Sequence, residues 1–234
     1  MNSQDFGRNN QELRDSWVKY TLKKLPPGLK LLDAGAGEQH HRKDCSQFEY
    51  TSQDLGEYDG SGDKVGMQNQ IWDQSKNEIL SDITSIPVPD GSFDIILCTE
   101  VFEHLPEPIK AITEFSRILK SGGHLILTVP VCSLAHQCPY YFNNGFSRYF
   151  YEKFLPENNM DIVELTPSGS WLELIAQETM RIPYIAQRYC GAALTTDVNK
   201  ALIVVLQTLY KLSQMDNGSS ELASYGYHIH AIKR

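Results

Sequence analysis

The stretch LKLLDAGAG, residues 29–37, decides the fold. Leu29, Leu31 and Leu32 form a short apolar run that stops at Asp33, and Gly35 and Gly37 follow at once. Such a run, closed by glycines, reads as a buried strand entering a tight turn. Working outward, Phe48–Gln53 is a second expected strand with Asp54 at its end, and Glu78–Ile83 a third. FDIILC (93–98), set off by the turn at 89–91, is the fourth, and HLILTV (124–129), closed by Pro130, the fifth. Between these two, Pro106 and Pro108 open a helix with Ile109, Ile112, Phe115, Ile118 and Leu119 on one face, and SGG (121–123) is expected to cap it. Upstream, residues 11–25 fit an amphipathic helix stopped by PPG (26–28). Alternating strands and helices of this kind predict a mostly parallel sheet covered on both faces.

Beyond Pro130 the segment 131–145 is aromatic and irregular. A helix over 146–156, a strand over 161–166, helices over 171–189 and 198–212, and an alternating edge strand, YHIHAI (227–232), complete the reading. No linker interrupts the pattern. Residues 1–234 are therefore expected to form a single α/β domain, with a helical cap or insertion at about 168–223 before the last strand. Ile203, Leu206 and Tyr210 fall on one helical face there, so the 168–223 helices are expected either to cover the sheet's end or to form a homodimer contact.

The composition is 41% hydrophobic and 21% charged, which supports a packed core. Twenty-one basic against 29 acidic side chains give a net charge of −8, which disfavours nonspecific nucleic-acid binding. Five cysteines without a CxxC pair suit a reducing, cytoplasmic setting. The polar N-terminal stretch predicts no signal peptide, and ALIVVLQTLYKL (201–212) is too short to predict a transmembrane segment.

The glycine turn can be tested against known phosphate-binding patterns. A dinucleotide fingerprint, GxGxxG, would place its third glycine at His40, and no GK[ST] follows for a P-loop. An NAD(P)-dependent oxidoreductase is thereby disfavoured. Asp33 suits a cationic or amine-bearing ligand. Asp54 lies about 20 residues on, where an acid either accepts from a ribose diol or caps a turn. At Asp82 and Ile83 a carboxylate and a backbone N–H together suit an adenine edge.

The ordered set LLDAGAGE, Asp54, SDITSIPVPDGSFDIILCTEVFEHLPEP and RILKSGGHLILTVP resembles the class I S-adenosylmethionine-dependent methyltransferases of the small-molecule type 11 group, over about residues 29–130. The resemblance implies a Rossmann-like sheet of seven strands, mostly parallel, with the last strand antiparallel and matched by GYHIHAIKR. It implies S-adenosyl-L-methionine as cofactor and S-adenosyl-L-homocysteine as product. It places Asp33, Gly35 and Gly37 around the methionine part, Asp54 at the ribose, Asp82 and Ile83 at the adenine, and Thr99 and Glu100 along the pocket. The segment 136–155 resembles methyltransferases of polysaccharide biosynthesis, which implies a sugar or nucleotide-sugar acceptor.

Methyl transfer to an oxygen or nitrogen needs an acceptor held in line, water excluded and, for a hydroxyl or amine, a base. His136 and His104 are the candidate bases; the plainer reading of His104 is a residue that orients its loop. Tyr140, Tyr141 and Phe142 are the candidate acceptor contacts, or else a lid of aromatics. His41 reads as an exposed loop residue. Cys132, His136 and Cys138 lack a fourth ligand at regular spacing, so no metal site is expected. Tyr149 and Lys153 match YxxxK without the glycine-rich start that a dehydrogenase needs, and His228 with His230 reads as an edge-strand pair. The remaining rival is a methyltransferase-fold protein that binds cofactor without turnover.

Overall fold

A computed structural model describes residues 6–234. They fall into two compact units, one of residues 15–166 with 227–234 and one of residues up to 14 with 167–226.

The larger unit holds a seven-stranded sheet. In chain order its strands are β1 (Lys30–Ala34), β2 (Glu49–Asp54), β3 (Ile79–Leu80), β4 (Phe93–Thr99), β5 (Leu119–Pro130), β6 (Met160–Ser168) and β7 (Gly226–Lys233). In space they run β3-β2-β1-β4-β5-β7-β6. The pairs β3–β2, β2–β1, β1–β4 and β4–β5 are parallel, and β7 lies antiparallel between β5 and β6. This is the Rossmann-like arrangement expected from the sequence.

The period of two along the strands sorts apolar side chains to two faces. Leu31, Ile95, Leu97 and Ile126 pack with Val18 and Leu22 of α1 (Asn10–Lys23). Leu32, Ile96, Cys98, Leu125 and Leu127 pack with Ile112, Phe115 and Ile118 of α2 (Pro108–Ile118) and Tyr151 and Leu155 of α3 (Arg148–Glu157). The smaller unit carries α4 (Trp171–Cys190) and α5 (Thr196–Ser213). Ser170 and Thr195 cap them by accepting the N–H of Glu173 and Val198. Leu206, Leu209 and Tyr210 pack there with Phe6 and Ala176, whereas Ile203 and Val204 stay exposed at 53% and 60%.

Three local expectations are corrected. SGG does not cap α2. The helix ends at Ile118, Leu119 already pairs with Phe93, and the next pair is Ile95 with His124, so residues 120–123 loop out as a bulge. β3 is two residues long, because Ser81–Thr84 turns around the Asp82 carboxylate. β7 is not an edge strand but lies between β5 and β6, where His228 stacks on Trp17 at 4.7 Å and His230 hydrogen-bonds His124 at 3.0 Å.

The β3–β4 connection is tied to α2 by a buried acid. The Ile86 N–H donates to Glu114 at 2.7 Å, and Arg117 donates to Glu114, Ile86 O, Val88 O and Asp90. Chiefly through the Arg117 hydrogen bond, the Glu114 carboxyl is held below its ordinary range. A depressed carboxyl stabilises fully above its unfolded value and loses that contribution as pH falls through the folded one. Glu114→Ala is expected to cost about 1.5–3 kcal/mol in urea unfolding at neutral pH. The deficit relative to wild type should shrink on acidification below the carboxylate range, and a pH-independent deficit would assign the effect to packing.

Candidate functional site

The sheet order reverses between β1 and β4, so the chain leaves these two neighbours in opposite directions and opens a crevice at their carboxyl ends. Gly35 sits there with φ +73°, in the left-handed region that favours glycine. A Cβ on it would lie 2.5 Å from Val101 Cγ2, on the turn after β4. Gly37 has φ +51°, and a Cβ there would lie 2.6 Å from the Trp72 ring. Gly35 and Ala36 both donate their N–H to Gln53 O at 2.9 Å, which lays the turn against the end of β2.

Asp33 is buried, and its Oδ2 accepts the Tyr50 hydroxyl at 2.7 Å. Burial raises this carboxyl to about 6; the Tyr50 bond opposes the rise and the Asp54 charge adds to it. Asp54 Oδ2 accepts the Gly37 N–H at 2.8 Å, while Oδ1 accepts the Gly56 N–H at 3.1 Å and the Gln74 amide at 2.9 Å. Asp82 is exposed and accepts from the Thr84 N–H and hydroxyl, both at 2.8 Å. The Ile83 side chain turns into the core. Thr99 ends β4, and Glu100 follows with φ +53°, a strained angle for a side-chain-bearing residue. Its backbone N–H donates to Thr128 O and its carboxylate accepts the Thr128 hydroxyl, which joins the ends of β4 and β5.

The segments after β4 and β5 meet at the same edge. The His104 and His136 rings lie 4.6 Å apart, edge to face, and Tyr141 is 5.4 Å from His136 and 6.4 Å from His104. His104 Nδ1 faces Tyr140 O, and His136 Nδ1 faces Leu134 O at 2.8 Å. A carbonyl only accepts, so both Nδ1 atoms carry the proton and, in the neutral ring, each Nε2 carries a lone pair. Both Nε2 atoms lie 3.9 Å from Oε1 of the buried Glu103. Burial, and next the His136 charge, push His104 down to about 4. The Tyr141 hydroxyl donates to Ser133 O at 2.6 Å and that of Tyr140 to Glu57 at 3.1 Å. Phe142 donates its N–H to Glu103 O, with its ring 53% exposed. A strap from the 56–78 loop pins this segment: Met67 bridges His136, and Gln68 donates to Cys138 O.

The carboxyl edge therefore carries the expected Asp33, Gly35, Gly37, Asp54, Asp82, Thr99 and Glu100 at successive strand ends, and His104, His136 and Tyr141 side by side. His41 is a correction: it is buried, beside Asp15 and Asp44. Cys132 is exposed and Cys138 buried; His136 is grouped instead with Glu103 and His104. The sequence reading passed over Glu103, Trp72 and Gln74. Glu103 carried a signal, an acid directly before His104, whereas Trp72 and Gln74 lie in a loop whose folding back no local pattern reveals.

The Val101 contact makes any side chain at Gly35 a lesion of folding. Gly35→Ala is expected to destabilise by about 1–3 kcal/mol. Adding Val101→Ala should recover part of that loss, and the remainder measures the left-handed backbone. A double-mutant cycle in urea checks this; a coupling of zero would remove the contact from the account.

Residues 32–127 match the family model described as a methyltransferase domain. An uncharacterized methyltransferase of Bacillus subtilis, YcgJ, is 30% identical over 105 residues, 42% of this chain and 39% of that protein. A sarcosine/dimethylglycine N-methyltransferase of Halorhodospira halochloris is 28% identical over 123 residues, 50% of this chain and 42% of that one. The chain thus spans less than half the length of these curated relatives. The crystal structure of an S-adenosylmethionine-dependent methyltransferase from Archaeoglobus fulgidus superposes with a TM-score of 0.54 at 15% identity, over 94% of each chain, and shows the shared fold. The matched stretch runs from β1 to β5 and takes in the glycine turn, Asp54, Asp82 and the β4 exit, so this part of the chain is similar to the methyltransferase-domain family.

Proposed function

We propose that the protein moves a methyl group from S-adenosyl-L-methionine to an oxygen or nitrogen of a small polar acceptor, a sugar or nucleotide sugar. The observation that carries this reading is the switch in strand order between β1 and β4, with the glycine turn after β1 and the histidine pair beyond β4 and β5 at the same edge of the sheet. The residues there fit the cofactor. Gly35 and Gly37 keep the turn free of side chains, Asp54 offers carboxylate oxygens for a ribose diol, and Asp82 with the Ile83 N–H offers an edge for adenine. Thr99 and Glu100 line the way between them. At Asp54 the ribose hydroxyls would replace the Gln74 amide as donors.

Bound there, the cofactor supplies a sulfonium-activated methyl and leaves as neutral S-adenosyl-L-homocysteine, its sulfur keeping the electron pair of the broken bond. The acceptor must lose one proton. His136 is the better base, because burial holds His104 too acidic to keep a proton near neutrality. Tyr140, Tyr141 and Phe142 supply aromatic faces for the apolar side of a sugar ring, and the tyrosine hydroxyls fix its polar groups.

We read residues 1–234 as one methyltransferase domain with a helical insertion at 168–223, whose exposed Ile203 and Val204 suit a homodimer contact. Among the described residues no helix is long and apolar enough to cross a membrane. All five cysteines are unpaired, which favours a cytoplasmic setting.

Calorimetry should find S-adenosyl-L-homocysteine bound to the wild type and not NAD. Asp54→Asn is expected to weaken that binding by about 1–3 kcal/mol, since it removes charge-assisted acceptance. An unchanged Kd would move the ribose elsewhere. His136→Ala should lower turnover of the accepted sugar by about 10²–10⁴-fold with cofactor affinity nearly unchanged. A loss confined to KM would instead make His136 an orienting group.

A further inference from the structure

We infer that Glu103, His104 and His136 form a binding site for one divalent first-row transition-metal ion, with zinc the best match. One carboxylate oxygen and two imidazole nitrogens converge so that all three ligand atoms lie within 4.8 Å of one another. The Glu103 Oε1 to Nε2 distance is 3.9 Å to each histidine. That is too long for a proton to bridge as a hydrogen bond. It is close to what an ion needs: zinc holds such atoms at about 2.0–2.2 Å, which sets neighbouring ligands about 3.3 Å apart. Drawing the three side chains in by about half an ångström would close the site.

The surroundings are built as metal-bound histidines require. Each imidazole donates its Nδ1–H to a main-chain carbonyl, His104 to Tyr140 O and His136 to Leu134 O. This fixes the tautomer, leaves each Nε2 unprotonated 3.9 Å from Glu103 Oε1, and raises the basicity of the donor nitrogen. The carbonyls are themselves held, since the Met67 bridge to His136 fixes the backbone of that segment. One carboxylate and two imidazoles, with the Glu103 side chain 2% exposed, supply an anionic oxygen and two nitrogen donors for a dication. Two histidines and one carboxylate leave positions open for water or substrate, the arrangement of catalytic rather than structural zinc.

The catalytic sense of the ion rests on the proposed function. An acceptor hydroxyl bound at an open position would have its pKa lowered and would give its proton to water, in place of a histidine base. The binding itself does not depend on that reading.

The test uses cobalt(II) alone, added to full-length protein stripped by a chelator, with absorbance read through the visible range. Saturation at one cobalt per chain, with d–d bands of nitrogen and oxygen ligation and no thiolate charge transfer, is the expected result. His136→Ala and Glu103→Gln should each lower affinity at least tenfold. His40→Ala, in the other cluster of ligating side chains, Asp15–His40–His41, should leave it unchanged, as should Cys132→Ser. A cooperative melt verifies that each variant is folded, and His136→Ala, on a loop, carries the test if Glu103→Gln does not fold. No cobalt spectrum, a thiolate band, or affinity lost in His40→Ala but kept in His136→Ala would overturn the proposal. Calorimetry with S-adenosyl-L-homocysteine on the same stripped protein reports separately on the methyltransferase reading, so the two can fail independently.

Discussion

The Asp54 carboxylate gathers three donors from three parts of the chain: the Gly37 N–H, the Gly56 N–H and the Gln74 amide. Each would otherwise have to find water or another partner, and a charge-assisted bond to a nearly buried carboxylate is among the stronger ties available. The glycine turn after β1, the exit of β2 and the far end of the 56–78 loop therefore meet at one group. From that junction the loop runs back to Met67 and the histidine segment after β5. The position of the histidine segment thus depends, through a chain of main-chain contacts, on the same acid that is proposed to hold the cofactor.

The sheet makes this junction possible through strict alternation. Leu31 and Leu32 are neighbours in sequence and belong to opposite cores. A strand buried on both faces must present its polar groups at its ends, because no other part of it touches solvent. That is where Asp33, Asp54, Thr99 and Glu100 sit. The positive φ at Glu100 and at Gly35 has the same origin: the chain turns sharply off a strand in crowded surroundings, and Val101 fills the space that a Cβ on Gly35 would require.

What the sequence made legible follows from this. Strand ends, glycine turns and helix faces are local, so Asp33, Gly35, Gly37, Asp54 and Asp82 could be placed from periodicity and punctuation alone. The spatial neighbours of those ends could not. Glu103 and His136 meet because β5 pairs beside β4 and a strap from β2's far loop holds the segment down, and neither pairing leaves a trace in local composition. β7 misled for a related reason. Its alternating histidines resemble a solvated face, but Trp17 and His124 cover them, and an imidazole, unlike an ammonium, tolerates burial once stacked or hydrogen-bonded. His41 likewise looked like a surface residue until Asp15 and Asp44 were found beside it.

The bulge in β5 offers something of practical use. Its residues loop out at the amino end of the parallel strands, the opposite edge from the candidate site, and a Cβ on Gly122 would meet nothing within 4 Å. Chain added there would lengthen an excursion that the ladder already skips. A fluorophore or an epitope can be grafted at this point, giving a reporter that travels with the protein while the candidate site stays untouched.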